Sequence, residues 1–223
     1  MFCCLRFCLN NSMSRPKTAG HRNTNIDRIK LDNAHMGHEV VIVKDGCRIC
    51  GSGGALTSAP LVQSKSYFEV KLQQSGHWSV GLATRKTDLN KTKGGTDKES
   101  WCLGSDNLVL HDNVEVHKLS MKSADISSSL DNINGTTVIV PESQSNETGI
   151  PCEGDTLGVA YDHVELNFYL NGKKLDIPVL NVKGTVYPVL FVDDGAILDI
   201  ILDDFNYGPP PGFEKIMIEQ SLL

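Results

Sequence analysis

The sequence predicts an antiparallel β-sandwich, and three observations carry that prediction. In the stretch Glu153–Gly172, two runs meet at Asp162-His163, and in the second run Val164, Leu166, Phe168 and Leu170 alternate with Glu165, Asn167 and Tyr169. A period of two marks a strand with one buried side, whereas a helical face would recur about every 3.6 residues. Asp45-Gly46 and Asn171-Gly172 stand between apolar runs and supply the positive φ that tight hairpin turns require. No helix of ordinary length is legible before the short amphipathic end piece Phe213–Leu223, so the class is all-β.

Taken in order, residues 1–34 have no sustained periodicity and form a disordered tail, Cys-rich at its tip and basic beyond it. Glu39–Lys44 and Cys47–Cys50 are β-branched runs across the Asp45-Gly46 turn, and Gly51-Ser52-Gly53-Gly54 is expected to be a loop. Ser66–Leu72 and His77–Thr84 alternate across a turn at Gln74-Ser75-Gly76, with Trp78, Val80 and Leu82 on one face and Ser79, Gly81 and Ala83 on the other. Residues 85–99 make a polar loop, most flexible at Lys93-Gly94-Gly95-Thr96. Short strands follow at Ser100–Leu103 and Leu108–His111. The Ser/Asn/Asp-rich segment 119–152, relieved only by Thr137–Val140, is expected to be a surface insertion. Thr185–Val192 and Ala196–Leu202 close the pattern around Asp193-Asp194-Gly195, and Pro188 is expected at an edge or a bulge.

Charge and cysteine usage exclude some function classes. The net charge is −6, but residues 1–30 carry +5, which leaves −11 on residues 31–223. An acidic body argues against nucleic-acid binding. The seven cysteines are an odd number with no secretory leader and no bilayer-length apolar run, so a reducing, cytoplasmic setting with free thiols is expected. Cys3, Cys4 and Cys8 sit among Phe2, Leu5, Phe7 and Leu9, ahead of basic residues. Acyl chains plus a basic segment form a two-signal membrane anchor, so these three are the candidate lipidation sites, with peripheral membrane contact following from acylation and a disordered tail with incidental thiols as the alternative.

Catalytic and metal chemistry finds little support. Cys47-x-x-Cys50 has no second pair to complete a tetrahedral site. His111-Asp112, His117 and Asp162-His163 could be drawn around a cysteine, but no activated-nucleophile motif accompanies them. Gly51–Gly54 precedes no helix and is no phosphate cradle. The acidic residues Asp193, Asp194, Asp199, Asp203 and Asp204 lack the spacing of a calcium loop and form a solvated face. Trp78 is expected in the core, while Trp101 is open between core and binding anchor. No cofactor, metal or catalytic residue is assigned.

Five ordered motifs then carry a resemblance. Tyr67-Phe68-Glu69-Val70, Trp78-x-Val80-Gly81-Leu82-Ala83-Thr84, Gly154–Val159, Leu166–Gly172 and Tyr187-Pro188-Val189 resemble the signature of the SPRY domain family, over residues from about 38 to 205. The resemblance implies a bent, concanavalin-like sandwich of two antiparallel sheets, a non-catalytic adaptor, and a protein or peptide partner bound through loops at one edge. It sets the domain at 35–207, interrupted by 119–152, with a C-terminal extension at 208–223 packing on or near the sandwich. Carried onto this chain, the partner-binding positions are Arg48, Thr96, Trp101, Asp193, Asp194 and Gly195. The last turn is acidic where other SPRY adaptors carry an aromatic, so a basic or polar partner is expected, with the chain a monomer. The competing class is a lectin-like sandwich, which the aromatic content of 6% does not favour; a hydrolase comes third.

Overall fold

The computed structural model describes residues 28–120 and 149–218. The expectations for Cys3, Cys4 and Cys8, for Thr137–Val140 and for the last five residues lie outside the described residues. The described chain is a single curled sheet folded into two layers. Its strands are β1 Leu31–Met36, β2 Glu39–Val43, β3 Arg48–Thr57, β4 Ser66–Gln74 and β5 His77–Ala83. Then come β6 Ser100–Gly104, β7 Leu108–His111, β8 Val114–Lys118, β9 Thr156–Tyr161 and β10 Glu165–Leu170. The last five are β11 Lys173–Lys174, β12 Val179–Leu180, β13 Tyr187–Asp193, β14 Ile197–Ile201 and β15 Glu214–Lys215.

One layer runs β3-β13-β5-β6-β7-β8 and the other β3-β14-β4-β9-β10. β3 belongs to both: residues 48–52 pair with β2 and its start also with β14, while residues 53–57 pair with β13 and β1. Gly51–Gly54 is therefore the bend inside a long strand rather than a loop. Gly51 (φ 96°) and Gly53 (φ 122°) hold backbone that L side chains rarely adopt. A Cβ at Gly54 would come within 2.5 Å of the Phe191 ring. Glycine thus allows one strand to turn the corner between layers, and a glycine run looks like a loop when pairing is invisible.

The alternation pattern places the core. Phe68, Val70, Trp78, Val80, Leu82 and Phe168 join one cluster between the layers. The opposite face of β5 and β13 holds a second cluster of Leu56, Ala83, Cys102, Tyr187, Val189 and Phe191. The 84–99 segment covers it: a Cβ at Gly94 would meet the Cys102 thiol and the Phe191 ring. Gly94 and Gly95 are buried, so the stretch expected to be most flexible is packed down. The cause is internal satisfaction of its polar groups. Asp97 accepts hydrogen bonds from Thr87 Oγ1, Asp88 N, Glu99 N and Ser100 Oγ.

Other boundaries shift as well. β1 begins at Leu31, so the tail is shorter than 1–34. Val164 is 67% exposed and lies in the turn before β10, while Leu166, Phe168 and Leu170 are buried as the alternation requires. Pro188 is in an inner strand; it pairs with Leu82, and the pairing to β3 starts only at Val189. β15 pairs with β4 in parallel, and Ile216 enters the main core. Upstream of β15, Glu69 is fully buried and accepts from Tyr67 Oη and from the backbone N–H groups of Asn206, Tyr207 and Gly208, which fastens that segment to β4.

Candidate functional site

The residues singled out from sequence do not form one constellation. Trp101 on β6 is opposite Leu82, whose partner on β13 is Pro188. Asp193 lies at the other end of β13, opposite His77. Asp193 is five positions along β13 from Pro188, roughly 17 Å. Thr96 is on the 84–99 loop, where its hydroxyl donates to Lys93 O at 3.1 Å; it borders a separate shallow depression with Asn90, Lys93 and Asn113. Arg48 is occupied within the fold: its Nε and Nη2 donate to the two carboxylate oxygens of Asp199 at 2.5 and 2.9 Å. Lys44 and Gln73 also donate to Asp199. Burial pushes the Asp199 carboxyl up, but the Arg48 and Lys44 interactions outweigh it and hold the group below its ordinary value.

Asp193-Asp194-Gly195 forms a tight two-residue turn. Asp194 (φ 49°) and Gly195 (φ 80°) are both left-handed, and Ala196 N donates to Asp193 O at 3.1 Å, the pattern of a type I′ hairpin turn. The neighbouring Gly76 is pressed against it, since a Cβ there would lie 2.4 Å from Ala196 N. This turn presents charge to solvent, with Asp194 and Gly195 exposed and Asp193 half-buried.

Concavity lies at the Trp101 end. The Trp101 indole stacks on the His111 ring, centroids 4.5 Å apart and planes within 10°, because the two residues face each other across β6 and β7. His111 Nδ1 is 2.9 Å from Ser100 O; a carbonyl only accepts, so Nδ1 carries the proton. Trp101 is only 3% exposed and belongs to the main core, so it is a core residue before it is a contact, and half-buried His111 stacked on it floors a groove of about 860 Å³. One wall is the 84–99 segment, with Arg85, Lys86, Lys98 and Glu99. The facing wall is Val116 of β8, Leu180 of β12 and the 181–185 loop with Lys183. Asp97 fixes the first wall. Burial raises its carboxyl, but hydrogen bonds from Ser100, Asp88, Thr87 and Glu99 hold it below the ordinary value. Arg85 lies 4.8 Å over the Tyr187 ring and donates to His35 Nε2 at 3.2 Å. Glu99 takes the Thr84 hydroxyl. The Trp101 indole nitrogen is buried without a partner among the described residues.

Nucleophilic chemistry gains nothing from this geometry. His111, His117 and His163 are each hydrogen-bonded to a different backbone carbonyl, of Ser100, Pro178 and Gln63. The nearby Cys102 thiol is pushed far above its ordinary value by burial and then by the Asp97 charge, the reverse of what an attacking thiolate needs. Cys47 and Cys50 are free thiols.

Comparison with known proteins defines the class. The SPRY domain profile matches residues 65–204, and the chain belongs to the SPRY domain family. Members of that family are in general non-catalytic interaction modules. Over its whole length the chain is 44% identical to SPRY domain-containing protein 7 of Homo sapiens and of Bos taurus, covering 98% of each. Among solved structures, the SPRY domain of human HERC1 aligns with a TM-score of 0.54 at 12% identity, over 79% of this chain and 99% of that one. The TRIM65 PSpry domain aligns with a TM-score of 0.54 at 11% identity, over 77% of this chain and 88% of that one. These two likenesses are of fold.

Of the groove, sequence reasoning found Trp101 and missed Arg85, Lys86, Lys98, Leu180, Lys183 and Tyr187. The lysines carry no motif, and they come from two loops about 85 positions apart in the chain. The legible signal was compositional: clustered cations in loops of an otherwise acidic body.

Proposed function

We propose that the protein is a non-catalytic adaptor that holds a peptide segment of a partner protein in the Trp101–His111 groove. The observation that carries this reading is the groove itself: about 860 Å³, floored by a stacked aromatic pair and walled by two loops at a sheet edge. Clefts of roughly 300–1,000 Å³ with apolar floors and a few convergent polar groups are the usual shape of binding sites. The acidic turn at Asp193-Asp194-Gly195 is a secondary contact for a basic or polar partner surface.

Proximity labelling tests it with three full-length proteins: wild type, Lys98→Glu/Lys183→Glu and Asp194→Lys. The groove variant is expected to lose partners that Asp194→Lys retains. Identical partner lists for all three would remove the edge-loop reading. The Cys3, Cys4 and Cys8 tether is a separate proposal, supported by the cysteine spacing and the +5 charge of residues 1–30. Serine at all three positions is expected to abolish acyl-exchange labelling and membrane association; unchanged association would discard it.

A further inference from the structure

Resting on the reading that the groove is a docking surface, we infer that its occupant is an acidic peptide segment with an apolar side chain beside its carboxylates. Four cations line the groove, Arg85, Lys86, Lys98 and Lys183, against the single carboxylate of Glu99. That carboxylate is already engaged by the Thr84 hydroxyl. Lys86, Lys98 and Lys183 form no ion pair among the described residues, whereas Lys44, Lys93 and Lys215 pair with Asp199, Asp106 and Asp203. Such a cluster is not a by-product of overall charge, since residues 31–223 sum to −11. Unpaired like charges gathered at one cleft repel one another and raise the local concentration of anions.

The facing wall supplies the second half of the chemistry. Leu180 is 52% and Val116 40% exposed, and both line the groove. An apolar side chain placed between them would be removed from water, while flanking carboxylates meet the lysines across the gap. Arg85 is held over Tyr187, so its guanidinium is ordered in advance and loses little freedom on pairing with a carboxylate. A basic peptide would meet four like charges. A nucleic-acid strand would satisfy the cations but leave the apolar wall unused, and its continuing phosphates would run onto an acidic body. The peptide is the occupant that uses both walls.

The probe is a random peptide library selected on the full-length protein, followed by fluorescence anisotropy of the most enriched peptide and of its glutamine-for-glutamate analogue. Enrichment of sequences combining Asp or Glu with Leu, Ile, Val or Phe is expected. Affinity should fall with added salt, and by at least about tenfold in Lys98→Glu/Lys183→Glu, since rim charges set electrostatic complementarity. Leu180→Ser should weaken the same peptide while leaving charge selectivity intact. Both lysines are exposed, and thermal unfolding of the variants confirms that the fold is retained. Selection of neutral or basic peptides, or indifference to the charge reversal, would overturn the acidic assignment. So would tighter binding of a single-stranded oligonucleotide in the same groove. If the glutamine analogue binds as well as the acidic peptide and Leu180→Ser weakens both, the acidic chemistry fails while the groove reading stands. If neither variant affects any selected peptide, the groove itself is excluded.

Discussion

The two ends of β13 are built from similar materials and offer different surfaces. At the Tyr187 end, the 84–99 and 181–185 loops, which approach each other at Thr84 and Gly184, line a cationic cleft over the His111 ring. At the Asp193 end, a two-residue turn closes tightly against Gly76 and leaves an acidic corner. Each end also has a hydrogen-bonded carboxylate behind it, half-buried Asp97 in the groove wall and buried Asp199 on the strand leaving the turn. Asp97 satisfies hydroxyl and backbone donors within one loop. Asp199 satisfies a guanidinium, an ammonium and an amide from three other segments. The difference teaches that loop length, more than loop charge, determines which end can enclose a ligand: a short turn has no residues with which to build a wall.

Removing the anchors separately should separate the ends. Asp199→Ala removes the buried acceptor shared by Lys44, Arg48 and Gln73, and losing hydrogen bonds to a charged group costs about 1.5–3 kcal/mol. Urea unfolding should show that loss with groove binding preserved in the folded fraction; a change under about 1 kcal/mol would mean that Asp199 does not anchor its end. Asp97→Ala should cost about 2 kcal/mol, through donors left without an acceptor. Its diagnostic consequence is local: hydrogen exchange across residues 84–99 should accelerate and peptide affinity fall, whereas Asp199→Ala should do neither.

Acid should act on both ends together. Asp97 and Asp199 both have folded values below the ordinary 3.8, so the unfolded chain binds protons more readily. Their stabilisation is fully present above the unfolded value and disappears as pH falls through the lower folded values. Unfolding midpoints between about pH 2 and 6 should therefore drop at the acid end, and Asp97→Asn/Asp199→Asn should flatten that limb. A limb as steep in the double variant would assign the acid sensitivity to other groups. The smallest effect belongs to the corner. Asp194→Lys should change stability by less than about 0.5 kcal/mol, as exposed substitutions do, and should leave groove affinity unchanged. Loss of peptide binding there would mean that the two ends act as one surface.

Much of the architecture was legible before any contact was known. Alternation in Leu166, Phe168 and Leu170 named the buried face of β10, and Asn171-Gly172 named its turn. The five family motifs named the sandwich. The misreadings share one origin. Gly51–Gly54 reads as a loop and is a strand that bends, and Lys93–Thr96 reads as a flexible tip although its Gly94 packs onto Phe191 and Cys102. Local propensity describes what a segment does in water, and Phe191, which packs against both Gly54 and Gly94, is distant in the chain from either.

The site divides along the same line. Trp101 was a candidate because an aromatic beside a loop is informative alone. Its stacking partner His111, the Arg85–Tyr187 contact and the convergence of Lys98 with Lys183 were not, since they depend on strands from distant parts of the chain meeting at one edge. Sequence by itself determined the all-β class, the main core faces and the hairpin turns, because these follow from side-chain period and backbone φ. Tertiary structure alone decided which loops face each other and where charge collects, because those are set by strand order, which pairs residues far apart in the chain.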